Sequence, residues 1–306
     1  MNNSITTIIP FFNSAGCIEA MLDSILAGTV VPDEILLIDD GSTDNSAAIV
    51  KSYENKYPNV HYLSQPHSGV SAARNLGISK AHGSWISFLD ADDYIEPNMY
   101  ETMLNAVEGK DLAGCVCGYY TVKDGITTSY TASFPSIISS DELLKAMFTD
   151  DNVRGFLFTR LFQAELIKGC NFDVNVSMCE DLLFQSKLLT KSSLQFAYIN
   201  IPLYHYIQNS ASATNSALYF KDGVFKYKPA FTQIFDVIHK DYVWTSYNSI
   251  LEYSMYTLLV AYKNGNHQVK EQIRMLQKEL KKTPCSNKSR RRLAYTYMPI
   301  IFSHFI

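Results

Sequence analysis

Short apolar runs and helix-period segments alternate over the first ninety or so residues. Thr6 to Ile9 is a β-branched run ended by Pro10, and Phe11-Phe12-Asn13 then leads into a helical pattern carried by Ile18, Met21, Leu22 and Ile25. Pro32 and Asp33 precede a second strand, Glu34 to Ile38, which stops at the polar stretch Asp39 to Asp44. A third unit runs from Val60-His61-Tyr62-Leu63 through Ser68-Gly69-Val70 into a helix carrying Arg74 and Asn75. The fourth strand, Trp85 to Leu89, halts abruptly at Asp90, Asp92 and Asp93. Strands alternating with helices across short loops predict an α/β fold with a Rossmann-like, mostly parallel sheet flanked by helices. In such sheets ligands bind beyond the carboxyl ends of the strands, where Pro10 to Asn13, Asp39 to Asp44 and Asp90 to Asp93 would gather.

The pattern is less regular further on. Cys115 to Tyr120 and Thr127 to Thr131 read as strands, Asp141 to Phe148 as a capped helix, and Gly155 to Arg160 as a segment returning to the site. Glu180 and Asp181 open an amphipathic helix, where the positive end of the helix dipole is expected to keep carboxylates ionised. From Tyr219 onward three helices are predicted, over Phe220 to His239, Trp244 to Lys263 and His267 to Lys282. In the last of these Val269, Ile273, Leu276 and Leu280 form one apolar stripe. The division expected is a catalytic domain over residues 1–214, with halves near 1–95 and 96–214, and a helical appendage over 215–306.

Composition narrows this little: 306 residues, 47% hydrophobic and 18% charged, can bury a full core and do not resemble a disordered chain. Charge says more. Lys263 to Arg292 holds ten Lys/Arg against Glu271 and Glu279, a local surplus of +8 that leaves −12 on the rest of a chain of net charge −4. No nucleic-acid module accompanies it, so nucleic acid is not an expected partner. The basic run Ser289-Arg290-Arg291-Arg292, next to the aromatic, apolar segment Leu293 to Ile306, suggests an anionic membrane surface as partner of residues 283–306. Packing within the protein is the plainer alternative. The six cysteines are scattered and read as reduced thiols, no apolar segment reaches about 20 residues, and the start lacks the pattern of a secretory signal. The expected location is cytoplasmic, with peripheral attachment to the inner membrane face as an extension of it.

Carboxylates this dense at a strand end need a cation. Alternation along extended backbone would put Asp90 and Asp92 on one side, where their hard oxygens suit Mg²⁺ or Mn²⁺. An isolated Asp-x-Asp is more often a solvated turn that caps the following helix, here at Pro97. The first strand leads to Pro-Phe-Phe-Asn rather than Gly-x-Gly-x-x-Gly, and no Walker loop is present. A bound diphosphate would therefore be held by a metal rather than by a glycine-rich loop.

Four blocks, in order, resemble the signatures of family 2 glycosyltransferases with the GT-A fold. They are Ile8 to Asn13, Ile38 to Asp44, Gly69-Val70-Ser71-Ala72-Ala73-Arg74-Asn75-Leu76-Gly77 and Phe88 to Asp93, and the resemblance extends over roughly residues 4 to 210. It implies a nucleotide-sugar site formed by Pro10, Phe12, Asn13, Asp40, Gly69, Arg74, Asp90 and Ala91. In that site Asp40 would accept from the uracil imide, Arg74 would hold the nucleotide, Asp39 would be structural, and Asp92 would ligate Mn²⁺ or Mg²⁺ bridging the diphosphate. It also implies Asp181 as general base on the acceptor hydroxyl, with Glu180 beside it as acceptor-binding or orienting neighbour, and hence inversion at the sugar carbon. Asp93 would support the loop. Pro202 to Ser210 resembles the segment that closes over the diphosphate, but Ile207 stands where the family often has a basic residue, so His205 and Ser210 become the candidates for that contact, against a structural role for His205 between tyrosines. The implied reaction moves a sugar from a UDP-sugar to a carbohydrate or lipid-linked glycan. The alternatives are a nucleotidyltransferase, whose glycine-rich loop is missing, and a non-catalytic sugar-nucleotide-binding protein, against which the intact acidic set argues.

Overall fold

β1 (Ile5–Phe11) is buried along its whole length and pairs in parallel with β2 (Glu34–Asp39) on one side and β4 (Trp85–Phe88) on the other. The strand continues through Pro10, where an end was expected. Its ladder with β4 stops at Ile8 and Phe88, so Pro10 lies where the strand has only β2 as neighbour and a missing N–H is tolerated. The structure is a computed structural model and describes residues 3–191, 193–208, 219–283, 290–297 and 299–302.

The chain divides into two compact units, residues 1–209 and 210–306; the expected boundary at 214 lies among residues outside the described set. In the first unit, α1 (Ile18–Leu26), α2 (Ser46–Lys56) and α3 (Val70–Lys80) connect β1, β2, β3 (Val60–Ser64) and β4, and the strand order 3-2-1-4 is fully parallel. After β4 come β5 (Tyr94–Ile95), α4 (Met99–Val107), β6 (Gly114–Lys123), β7 (Ile126–Tyr130), β8 (Ile137–Ser139) and α5 (Ser140–Thr149). β9 (Arg160–Gln163), α6 (Ala164–Ile167), α7 (Glu180–Leu189) and β10 (Gln195–Ile207) complete the unit. Among the described residues ten strands form one sheet. β9 enters it antiparallel between β4 and β6, and β10 runs parallel to β6 with an irregular register between Ile199 and Tyr204. The sheet is thus mixed beyond β4. Fold and register here depend on long-range pairing, which local patterning does not reveal.

Two close packings fix the layers around β1. Thr7, Ser87 and Tyr100 join their hydroxyls inside the core, with Thr7 Oγ1 and Ser87 Oγ at 2.7 and 3.0 Å from Tyr100 Oη, so a buried polar trio ties β1, β4 and α4 together. On the opposite face α3 approaches so closely that a Cβ on Gly77 would stand 2.4 Å from Ile8 Cγ2.

In the second unit Phe220–Lys221 (β11) and Val224–Phe225 (β12) form a hairpin rather than the start of the predicted helix. Asp222 and Gly223 hold positive φ, 50° and 77°, the Asp-Gly turn that suits a two-residue hairpin. α8 (Lys228–Val237), α9 (Asp241–Lys263) and α10 (Lys270–Lys282) follow, and the stripe Val269, Ile273, Leu276 and Leu280 is buried as its spacing predicts. α11 (Arg290–Tyr297) and α12 (Pro299–Phe302) are the last described elements of the unit. Arg292 and Tyr295, assigned above to a membrane-facing tail, are buried. Arg292 Nη2 donates to the Leu280 carbonyl at 3.0 Å and to Thr283 Oγ1 at 2.8 Å, which corrects the surface reading for these residues. No helix among the described residues is long and apolar enough to cross a membrane.

The packing at Gly77 generates a sign test. Alanine is the better helix former by about 1 kcal/mol, but here its methyl must displace a fully buried isoleucine. Gly77→Ala is expected to destabilise the protein by about 1–3 kcal/mol as overpacking wins, read as a lower urea midpoint at unchanged slope. A midpoint at or above wild type would show that α3 stands further from β1.

Candidate functional site

The loops after β1 and β2 are stitched to each other by side-chain hydrogen bonds. Asn13, at φ 50°, accepts on Oδ1 from the Thr43 amide at 2.8 Å, and its own amide donates to Ser42 Oγ at 3.0 Å. Asp39 accepts from the Ser42 amide and from Tyr62 Oη, both at 2.8 Å, the structural role expected for it. Phe12 projects into solvent at 44% exposure with its ring 4.4 Å from that of His67, so two half-open rings stand at the mouth of the β1 loop. Pro10 lies buried in the strand, behind rather than within that mouth.

Asp40 is buried and heavily used. Its Oδ1 accepts from Gln65 Nε2 at 2.7 Å and the Ser68 amide at 2.8 Å, and its Oδ2 accepts from the Gly69 amide at 2.8 Å and lies 2.9 Å from His67 Nδ1. The carboxylate therefore fixes the turn that delivers Gly69, at φ 91°, to the start of α3. Gln65 and His67 are side-chain partners that a ligand's imide could replace, whereas the two amides are not.

Three positions into α3 beyond Ser71 stands Arg74, the element that joins the halves of the site. Its guanidinium is buried, donates through Nη1 to Glu180 Oε1 at 2.8 Å and through Nη2 to Asp90 Oδ1 at 3.2 Å, and lies over the ring of Phe172 at 5.5 Å. Burial lowers its pKa, but Asp90, Glu180 and Asp181 raise it further, with a net rise. Asn75, the next residue, grips the same segment by a two-way amide clamp: Nδ2 donates to the Phe172 carbonyl at 2.9 Å and Oδ1 accepts from the Phe172 amide at 2.8 Å. Phe172 stacks in turn on Phe184 of α7, centroids 4.0 Å apart, and meets Phe88 edge-on. The sequence singled out Arg74 but gave Asn75 and Phe172 no role, although Asn75 lies inside a signature block.

The Asp90–Asp93 stretch is a turn, not extended backbone, and its residues divide the work. Asp93 is buried. It accepts from Tyr204 Oη at 2.6 Å and from the Ile207 amide at 2.7 Å, and the Asp90 amide donates to the same Tyr204 oxygen at 3.2 Å. The loop is thus pinned to β10 through Asp93. Burial, then the charges of Asp90 and Asp92, push the Asp93 carboxyl well above the usual range. Ala91 is buried, and half-buried Asp92 also has its pKa raised, by burial and then by Asp90. Among the described residues no three His, Cys, Asp or Glu side chains form a metal-holding group. A carboxylate destabilised by burial and by a neighbouring negative charge is nonetheless what a divalent cation would relieve, and one or two carboxylates plus substrate phosphates is the usual Mg²⁺ arrangement. The donor set fits an ion completed by a diphosphate.

Asp181 departs most from expectation. It lies one residue into α7, whose start is held by Cys179 at φ 59°. Burial, and then Glu180, lift its pKa to about 7 against the pull of Arg74, so desolvation outweighs the helix end that was expected to keep it ionised. A carboxyl poised near neutrality is suited to proton transfer. His205 is corrected too. Its ring lies between Tyr94 and Tyr120, centroids 4.2 and 4.5 Å away, with Nε2 at 2.7 Å from Glu96 Oε1 and Nδ1 buried without a partner among the described residues. Neither nitrogen is open to a phosphate, so the structural alternative holds. Ser210 lies outside the described residues.

Over residues 6–168 the chain matches the model of glycosyl transferase family 2. It is 32% identical over 224 residues to the cholesterol galactosyltransferase of Borreliella burgdorferi, covering 69% of this chain and 62% of that protein. It is 41% identical over 115 residues to the uncharacterized glycosyltransferase YibD of Escherichia coli, covering 38% and 33%. The chain therefore spans about a third to three fifths of the length of these curated relatives. Among solved structures, S. aureus TarS 1-349 in complex with UDP-GlcNAc superposes with a TM-score of 0.72 at 20% identity, over 98% of this chain and 89% of that one, so the GT-A architecture is shared. Motif order, fold and family model converge, and the chain belongs to glycosyl transferase family 2.

Proposed function

We propose that this chain transfers a sugar from a UDP-sugar to a hydroxyl of a carbohydrate or lipid-linked glycan, inverting the configuration at the sugar carbon and using Mn²⁺ or Mg²⁺ at Asp92. The observation that carries the reading is Arg74, whose guanidinium spans Asp90 of the acidic turn and Glu180 beside Asp181. One buried cation thereby brings the donor-side and acceptor-side motifs to the same place. The galactosyltransferase relative and the UDP-GlcNAc complex of TarS support a UDP-sugar as donor.

In this reading the uridine lies against Phe12 and His67 with its imide toward Asp40, where Gln65 or His67 gives way. Arg74 faces the diphosphate while keeping Asp90 and Glu180 in place. A divalent ion at Asp92, when bound, neutralises charge on the departing nucleoside diphosphate. Asp181 accepts the proton of the acceptor hydroxyl. The freed oxygen pair forms the new bond to C1 as the bond from C1 to the diphosphate oxygen breaks, and that electron pair leaves with UDP. A single displacement from the opposite face inverts C1.

Two measurements test this. Asp181→Asn keeps size and hydrogen-bonding capacity but cannot take a proton. Its kcat on a UDP-sugar panel is expected to fall by about 10²–10⁴-fold, with UDP affinity within about threefold of wild type and still enhanced by Mn²⁺. Undiminished turnover removes Asp181 as base, and UDP binding indifferent to Mn²⁺ removes the metal. The second is a pH profile. The active form of Asp181 is the carboxylate, and its pKa is raised to about 7. Thus kcat should rise with pH through about 7, fall about tenfold per unit below pH 6, and level off above pH 8. A profile flat from pH 5 to 8 contradicts the assignment.

A further inference from the structure

Arg160, the first residue of β9, is fully buried, yet no carboxylate lies within ion-pairing distance among the described residues. Its hydrogen-bond partners among the described residues are neutral. Nη2 donates to the Arg154 carbonyl at 2.7 Å and the Val153 carbonyl at 3.4 Å, Nη1 donates to Thr159 Oγ1, and Nε donates to Gln185 Oε1 at 3.3 Å. Gln185, itself fully buried on α7, passes the connection on. Its Nε2 donates to the Gly155 carbonyl at 2.6 Å and to the backbone carbonyl of Asp181, one turn earlier, at 3.3 Å. Gly155 fits directly under this turn, since a Cβ there would stand 2.7 Å from Leu182 Cδ1.

A guanidinium in the core without a counterion is an expensive feature for packing alone, because a neutral residue of similar volume would fill the space without the desolvation penalty. We infer that Arg160 is a positioning residue for Asp181: through Gln185 it locks the first turn of α7 to residues 153–155, and it places a buried positive charge behind the candidate base. The inference rests on the proposed role of Asp181. The groups facing Asp181 are Glu180 on α7, Cys179 just before that helix, Arg74 on α3, Asp90 in the acidic turn and Arg160 on β9; those facing Arg160 are Cys115 and Cys117 on β6, Tyr198 on β10 and Asp181 itself. Cys115 and Cys117 are held in their neutral thiol form by burial, which raises both pKa values. Tyr198, raised by burial as well, stays neutral. Of these four groups facing Arg160, Asp181 is then the one that can carry charge near neutral pH.

The test reads Asp181 directly. In the full-length chain, carbon-13 labelling of aspartate carboxyls, with the Asp181 signal assigned by its loss in D181N, gives the titration midpoint without turnover. Arg160→Met is expected to raise that midpoint by about one pH unit, and Arg160→Lys, which restores the charge, to hold it within about 0.3 unit of wild type. In transfer assays the inflection of kcat should move with it, while KM for the UDP-sugar stays within about threefold. Arg160→Met also strips partners from the Val153 and Arg154 carbonyls, so Gln185→Met supplies an independent arm: it leaves the cation in place, and should lower plateau kcat about tenfold or more by loosening the base with the inflection unmoved. An unchanged or lowered midpoint in Arg160→Met, or wild-type plateau kcat in Gln185→Met, overturns the inference. Turnover surviving in D181N would instead overturn the assignment of the base, and the carboxyl titration keeps the two failures apart.

Discussion

The site depends on one buried guanidinium placed between two carboxylates that belong to different parts of the first unit. Asp90 follows β4 in the parallel half of the sheet, and Glu180 opens α7 some ninety residues later. Without Arg74 these acids, half-exposed Asp90 and mostly buried Glu180, would face one another as like charges, which is costly and would drive α7 away from the acidic turn. Arg74 makes their approach favourable. The arrangement also explains why Arg74 lies on a helix whose amino-terminal turn is an unfavourable place for a cation: its charge is matched by the acids it joins.

Burial then grades the acids by function. Asp93 is driven well above the normal carboxylate range and serves as an anchor, receiving a tyrosine hydroxyl and a backbone amide. Asp92 is raised by burial and by Asp90, and a cation would reverse that. Asp181 is raised to about 7 by burial and by Glu180, with Arg74 opposing. The same chemical group therefore supplies an anchor, a candidate ligand and a candidate base, and the distinction comes from the desolvation of each and from which charges lie near it.

The parallel half of the fold was legible because each unit there carries its own local signal: a β-branched run, a loop with Gly, Asp or Asn, and a helical period. Of the strands that escaped notice, β9 has only four residues and enters antiparallel between β4 and β6, and β10 was seen only as a motif around Tyr204. Neither position is encoded locally, since both are decided by pairing with strands far away in sequence. The hairpin at Phe220 to Phe225 was legible and missed, because the apolar run was given a helical period while the Asp222-Gly223 turn went unread. At the site, residue identities came through and electrostatics did not. Nothing in Glu180-Asp181 announces that the second carboxylate is desolvated, and nothing around His205 announces the two tyrosine rings, one from β5 and one from β6, that enclose it.

The two sides of the site are built on different kinds of attachment. The side proposed for the uridine consists of loops at the ends of adjacent parallel strands, cross-tied by Asn13, Asp39 and Asp40 to backbone amides, so its shape is set by the sheet itself. The side that presents Asp181 is a helix held by side chains: Arg74 to Glu180, the Asn75 clamp on Phe172, the Phe172–Phe184 stack, and Gln185 with Arg160 beneath. Side-chain attachments can be exchanged one at a time, whereas a change in a parallel ladder shifts a whole strand. On the proposed reading, a side-chain change reshapes the α7 side around Asp181 without moving the strand-end loops that hold the nucleotide. Arg74 and Asn75 are where the two sides are fastened together, through Glu180 and Phe172.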